Sequence, residues 1–194
     1  MDRNTLLEAG PTYTYLRGLL AVPIGIVFLI AGATYLEWGP FGSQWLFWAA
    51  ALACLATGAL IDRYYRQNYG RVTPERKTRV KDALWTVFGV VAIIGLAILD
   101  SILELPFNGY VLAYALMMFG YISTSIGVKM RHAVIWGALL VAAVLPVWDG
   151  VDEIAVGLIP IGVATIVCGL IDHSVFVANL GPSRMSVGNG NVGA

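Results

Sequence analysis

The chain has 194 residues, of which 58% are hydrophobic and 12% are charged, about half the charged share of a soluble globular protein. So little charge cannot cover the surface of a soluble fold, and a formal net charge of zero gives no reason to expect a nucleic-acid partner. The composition instead indicates an all-α protein, a polytopic transmembrane helical bundle in the cell membrane.

Six uncharged runs follow one another along the chain and predict membrane-spanning helices, since each is about 24 to 30 Å long at 1.5 Å per residue. They are residues 18–36, 44–61, 83–99, 109–128, 133–148 and 154–171. Two alternatives stay open: a cleaved signal peptide in place of the first helix, and a re-entrant segment in place of the short fifth one. We expect residues 1–180 to form one transmembrane domain and residues 181–194 to form a flexible cytoplasmic tail.

The loops between these runs alternate in charge. The first, third and fifth loops carry carboxylates but no Lys or Arg, whereas the second and fourth loops are basic. All twelve Lys and Arg residues therefore fall on one side of the predicted bundle, together with both termini. The positive-inside rule makes that side cytoplasmic.

Two internal patterns predict how the helices pack. At an offset of 110 residues, residues 60–63 (Leu-Ile-Asp-Arg) align with residues 170–173 (Leu-Ile-Asp-His), so helices 1–2 and 5–6 are either a parallel hairpin repeat or a chance match. Small residues recur every seven positions in the first, fourth and sixth runs, which predicts that these three helices pack closely, with Leu29 facing lipid. These small residues are Gly18, Gly25 and Gly32; Ala113, Gly120 and Gly127; and Ala155, Gly162 and Gly169.

The segment after the second run contains a basic collar, defined here as Arg63, Arg66, Arg71, Arg76, Lys77, Arg79 and Lys81. Asp62 and Arg66, like Tyr65 and Tyr69, are four residues apart, so we expect the helix to continue beyond the apolar run until Gly70. Clustered basic side chains at a cytoplasmic interface are typical of contacts with anionic lipid headgroups or with an acidic partner. The simpler explanation is that these charges only set the topology.

A polar cluster at the cytoplasmic mouth is a further candidate site. Asp62, Asp172 and His173 would meet there if the two hairpins pack as equivalents, and they would then form an acid/base pair or a cation site. Carboxylates at helix ends more often form salt bridges with neighbouring arginines, which is the alternative.

One face of the fourth predicted helix carries Tyr110, Tyr114, Tyr121 and Ser125 at helical spacing. Facing inward, these hydroxyl groups would line a cavity for a small neutral or amphipathic ligand. Facing a neighbouring helix, they would form hydrogen bonds across the interface, which is the commoner role.

The sequence gives no catalytic motif, and we predict no cofactor, metal ligand or catalytic residue. Cys54 and Cys168 lie in apolar runs without a metal-ligand spacing, so both are interpreted as buried small residues that form no disulfide. Three hypotheses for the function remain. The first is a non-enzymatic membrane subunit or regulator that acts through helix packing and its basic cytoplasmic loop, with a membrane protein partner or as a homo-oligomer. The second is a small transporter or channel for a neutral or amphipathic solute, and the third is an intramembrane lipid-modifying enzyme. The sequence favours the first, because no ionisable residue lies near the middle of any run.

Overall fold

The computed structural model describes residues 17–69, 76–103, 107–125, 129–144 and 153–180, and these residues form helices with no strand among them. A 3-10 turn at Gly18–Leu20 leads into α1, and a second at Gly39–Gly42 connects α1 to α2. The helices are α1 (Ala21–Tyr35), α2 (Gln44–Tyr69), α3 (Arg76–Leu103), α4 (Gly109–Ser125), α5 (Met130–Val144) and α6 (Glu153–Leu180). The predicted all-α helical bundle is confirmed. The predicted tail, residues 181–194, lies outside the described residues.

Among the described residues, three helical segments are long and apolar enough to cross a membrane, judged by length and composition. They are Gly18–Tyr35, Gln44–Tyr69 and Ile154–Ala178, and two shorter apolar helices cover Gly109–Thr124 and Met130–Val144. Large apolar side chains are exposed along the outer faces of α2 and α3; Trp45 and Ile102 expose 83% and 69% of their surface. Such extensive apolar surface is unfavourable in water and is compatible with a membrane protein.

Three helices continue beyond the uncharged runs at one end of the bundle. α2 extends to Tyr69, α3 begins at Arg76, and α6 extends to Leu180. A helix does not end where its apolar side chains end, because backbone hydrogen bonds and side-chain pairs can continue it. The predicted pair forms, with Arg66 Nη2 lying 2.5 Å from Asp62 Oδ2. We call this end, which holds Arg17, Arg66, Arg76 and Arg131, the basic end.

The closest helix contact joins α1 and α6, which run antiparallel with their stripes of small residues facing each other. A Cβ atom on Gly25 would lie 2.7 Å from the Gly162 carbonyl oxygen, and one on Gly32 would lie 2.9 Å from the Ala155 carbonyl oxygen. The predicted packing of the first and sixth helices is confirmed. Close backbone approach gains van der Waals contact, which stabilises helix pairs in lipid. Leu29 was expected to face lipid, but its side chain packs beside Gly162 in this seam, so that expectation is wrong.

The small residues of α4 have a different role. Gly120 makes room for the Trp85 ring of α3 rather than for the backbone of α1 or α6, so the prediction is wrong at this position. The reason is that α4 is shared by three neighbours: it packs against α3, α5 and α6. Gly127, the last residue of that stripe, lies outside the described residues.

The remaining packing leaves two helices at the periphery. α2 packs mainly on α1, and α3 packs mainly on α4. A cluster of buried apolar side chains between α4, α5 and α6 contains Val111, Leu139 and Ile161. Because α3 is held by α4 and not by α1, a space remains between α1 and α3.

Candidate binding site at the basic end

A cleft of about 630 Å³ occupies the space between α1 and α3, and α4 and α6 form its inner wall. Its lining comes from residues 17–24, 82–93, 114–122 and 165–172. All four segments extend from near the basic end toward the middle of the bundle. The volume is within the range of about 300 to 1,000 Å³ that is typical of small-molecule sites.

The lining is apolar over most of its length and charged at one end. Arg17, Asp82 and Asp172 line the basic end of the cleft, whereas Tyr114 and Thr165 lie deeper. The seven residues from Thr165 to Asp172 correspond to about 10 Å along α6. The apolar wall between them includes Leu20, Ile24, Val90, Ile93, Met117, Met118 and Ile122. A cleft with this distribution can bury an apolar chain and hold a polar group at each end of it.

Tyr114 both lines the cleft and bonds across a helix interface. Its hydroxyl oxygen lies 2.6 Å from Thr165 Oγ1 on α6. Thr165 donates its own hydroxyl hydrogen to the Ile161 carbonyl at 2.7 Å, so Tyr114 is the donor to Thr165. The Tyr114 oxygen therefore keeps acceptor capacity toward the cleft.

The predicted cavity face is only partly in the cleft. Tyr114 and Tyr121 are among the lining residues, whereas Tyr110 is not. The side chain of Ser125 lies outside the described part of the structure.

Asp172 forms a buried cluster with the first turn of α5. His132 Nε2 lies 3.1 Å from Asp172 Oδ1, and Arg131 Nη2 lies 3.4 Å from the same oxygen. His132 is 2% exposed, and its Nδ1 atom has no hydrogen-bond partner among the described residues. Cys168, one turn before Asp172 on α6, is also buried, and the ligand atoms of His132, Cys168 and Asp172 all lie within 4.8 Å of one another.

Asp62 belongs to a separate and more exposed cluster. It accepts hydrogen bonds from Arg17 and Arg66, and the Arg17 guanidinium also lies over the Tyr65 ring, 5.0 Å from its centre. The hydrogen bond from Arg17 lowers the pKa of the Asp62 carboxyl, which follows the uncharged run of α2. The Tyr65 hydroxyl lies 2.9 Å from His173 Nδ1, which connects α2 to α6.

The three residues predicted at the cytoplasmic mouth therefore have different partners. Asp62 pairs with arginines, His173 pairs with Tyr65, and Asp172 pairs with α5. No hydrogen bond or ion pair joins any two of these three described residues.

The residues of the basic collar also differ in their partners and exposure. Arg66 pairs with Asp62, and the half-buried Lys81 donates to the Thr124 carbonyl at the end of α4. Arg63, Arg76 and Lys77 are exposed. Arg71 and the side chain of Arg79 lie outside the described residues. A groove along α3 joins the collar to an apolar surface, and its lining is Arg76, Lys77, Val80, Lys81, Leu84, Trp85 and Phe88.

Sequence reasoning did not predict Arg17, His132 or Cys168 as site residues. His132 and Cys168 come from different helices and are 36 positions apart, so no local spacing connects them. The one available signal was the four-residue separation of Cys168 and Asp172, which places both on one face of a helix.

Comparison of the chain with protein-family models, with curated proteins and with solved structures gives no significant match. The fold and composition define a coarse class: over the part of the chain that the structure describes, the protein is helical, with three helical segments able, by length and composition, to cross a membrane.

Proposed function

We propose that the protein is a small transporter of the cell membrane, with six spans and cytoplasmic termini, that accepts a neutral or amphipathic solute. The observation that carries this proposal is the cleft, with its apolar wall and its polar groups at both ends. The regulator hypothesis, which the sequence favours, does not require such a cleft. The enzyme hypothesis requires a catalytic group in contact with the substrate, and the sequence gives no catalytic motif.

The direction of the cleft follows from the loop charges. Its charged lining residues, Arg17, Asp82 and Asp172, lie at the basic end, so we place its mouth there, on the side that the positive-inside rule assigns to the cytoplasm. Toward the other end, the cleft lining stops near Tyr114 and Thr165, short of the contact between α1 and α6 at Gly32 and Ala155. This arrangement corresponds to a cytoplasm-open state of a transporter.

Cysteine accessibility tests the cleft and its orientation together. In a background of Cys54→Ala and Cys168→Ala, Thr86→Cys places a thiol on the exposed, cleft-lining side of α3. A membrane-impermeant maleimide should label it in inside-out vesicles and not in right-side-out vesicles. Val91→Cys, on the outer face of the same helix where Val91 is 62% exposed, is the control and should not react, because it faces lipid.

The solute class is tested by protection from the same reagent. Dodecanol, a neutral amphiphile, should slow labelling of Thr86→Cys and leave the exposed Arg63→Cys unaffected. An unreactive Thr86→Cys would contradict an aqueous cleft. A reactive Thr86→Cys that dodecanol does not protect would contradict the solute class.

A second function, contact with anionic lipid headgroups, is favoured by the groove on α3. Exposed Arg76 and Lys77 stand beside an apolar surface that includes Trp85 and Phe88, so a lipid headgroup and its chain would each meet a matching surface. The double variant Arg76→Gln, Lys77→Gln should retain less fluorescent phosphatidylserine in mixed micelles than the native protein. Retention by the native protein should also fall as salt rises, because exposed charges are screened over about 8 Å.

The matched control is Lys129→Gln, an exposed basic residue of the other basic loop. It should retain phosphatidylserine like the native protein. Equal retention by the double variant would leave these charges with a topological role only.

A further inference from the structure

We infer that His132, Cys168 and Asp172 form a binding site for a divalent transition-metal ion, with Zn²⁺ as the best match. All three residues are buried, and their ligand atoms lie within 4.8 Å of one another. The inference rests on these three side chains and does not depend on the solute proposed above.

The donor atoms define the kind of metal. An imidazole nitrogen, a thiolate sulfur and a carboxylate oxygen are the three donor types that Zn²⁺ takes in proteins. Mg²⁺ and Ca²⁺ prefer oxygen ligands alone, so the thiolate argues against them. With metal bonds of about 2.0 to 2.3 Å, ligand atoms in a tetrahedral site are about 3.3 to 3.8 Å apart. His132 Nε2 and Asp172 Oδ1 are already 3.1 Å apart, and the ligand atoms of the three residues all lie within 4.8 Å of one another, so metal binding would draw the thiol closer by about 1 Å at most.

The helices hold the three ligands in place without a metal. Cys168 and Asp172 share one face of α6 because they are four residues apart. His132 reaches them from the first turn of α5, and Cys168 belongs to the same buried cluster as Leu139 of α5. Arg131 contacts the Asp172 carboxylate at 3.4 Å and can orient it from outside the ligand set. The thiolate and the carboxylate together balance the two charges of the ion.

The competing explanation is that Asp172 forms a buried ion pair and that Cys168 only fills space. That explanation accounts for the contact between His132 and Asp172, but it gives no polar role to the Cys168 thiol, although one ligand atom from each of the three buried residues lies within 4.8 Å of the others. Coordination through His132 Nε2 uses all three clustered donors, whereas His132 Nδ1 has no hydrogen-bond partner among the described residues on either explanation.

The site also has access to the cleft. Cys168 and Asp172 are both cleft-lining residues. Zinc sites with three protein ligands keep a fourth position for water or substrate. A water molecule, or the polar group of a molecule in the cleft, can therefore reach an ion held by these residues.

Cobalt titration of the purified full-length protein tests the site. Co²⁺ bound to a thiolate gives a charge-transfer absorption, and we expect it to saturate at one ion per chain and to be reversed by Zn²⁺. Cys168→Ser, which conserves size, should abolish the band and weaken Co²⁺ binding about tenfold or more, as measured by equilibrium dialysis with metal analysis. His132→Gln should weaken binding similarly. Cys54→Ala, which removes the other cysteine, should bind and absorb like the native protein.

The thermal stability of each variant is measured with a chelator present, so that lost binding is separated from lost folding. Absence of the band in the native protein, or equal Co²⁺ affinity in Cys168→Ser, would overturn the site. Because no cleft solute is used, failure of this experiment and failure of the maleimide experiment can be distinguished.

Discussion

Asp62 and Asp172 occupy matching positions near the ends of α2 and α6, yet the structure surrounds them differently. Each pairs with an arginine at the beginning of the other helix of its hairpin: Arg17 precedes α1, and Arg131 lies in the first turn of α5. The Asp62 side chain remains 29% exposed, whereas that of Asp172 is 12% exposed and also contacts His132.

The difference follows from the positions of the helices. α2 lies at the periphery, and a Cβ added at Gly58, one turn before Asp62, would meet nothing within 4 Å. In α6 the equivalent position is Cys168, which is buried between helices. The same Leu-Ile-Asp ending therefore produces a partly exposed ion pair in one hairpin and a buried cluster with metal-binding donors in the other. The hairpin repeat itself stays a prediction.

The largest expected effect is the difference in unfolding free energy between variants of the two carboxylates. Asp172→Asn should lower the free energy of unfolding by about 3 to 5 kcal/mol, because Arg131 is left without its buried partner. Asp62→Asn should cost about 1 kcal/mol or less, since the Asp62 pair is partly exposed and solvent screens such pairs. Unfolding in mixed detergent micelles, with a chelator present, measures both. Similar losses for the two variants would contradict the assignment of buried and exposed clusters.

A second comparison concerns glycines in the same two helices. Gly162→Leu should destabilise the protein by about 1 to 3 kcal/mol, because its Cβ would lie 2.8 Å from the Gly25 carbonyl oxygen in the α1–α6 seam. Gly58→Leu should be neutral or stabilising by up to about 1 kcal/mol, because the space is open and leucine favours a helix. Thermal unfolding of both variants checks the prediction. Equal tolerance at the two positions would show that the seam does not constrain α6.

Local patterns explain what could be predicted. Apolar runs gave the approximate places of the helices, and seven-residue spacing gave the facing stripes of α1 and α6, because both are properties of a single helix. The cleft could not be predicted, since it depends on α3 packing against α4 rather than α1. The cluster around Asp172 could not be predicted either, because His132 reaches it from another helix. Leu29 was misplaced because the width of the seam depends on how α6 faces α1.

A smaller effect concerns the contact that joins the two hairpins. Tyr65→Phe removes the hydroxyl that lies 2.9 Å from His173 Nδ1, and should cost about 0.5 to 1.5 kcal/mol in unfolding free energy. Tyr64→Phe is the matched control, because Tyr64 is 40% exposed, and it should change stability very little. A loss as large in Tyr64→Phe as in Tyr65→Phe would mean that the hydroxyl contact does not connect α2 to α6.

The smallest expected effect is the pH dependence of the Asp62 pair. The hydrogen bond from Arg17 lowers the pKa of Asp62 below its ordinary value of 3.8, so the ionised carboxylate stabilises the folded state above that value. This contribution is lost as the pH falls through the lowered pKa, because the proton then neutralises the group. The unfolding free energy of the native protein should exceed that of Asp62→Asn by less than about 1 kcal/mol at pH 7, since the pair is partly exposed. The difference should shrink between pH 5 and pH 3, and a difference that grows on acidification would contradict the assigned direction of the pKa shift.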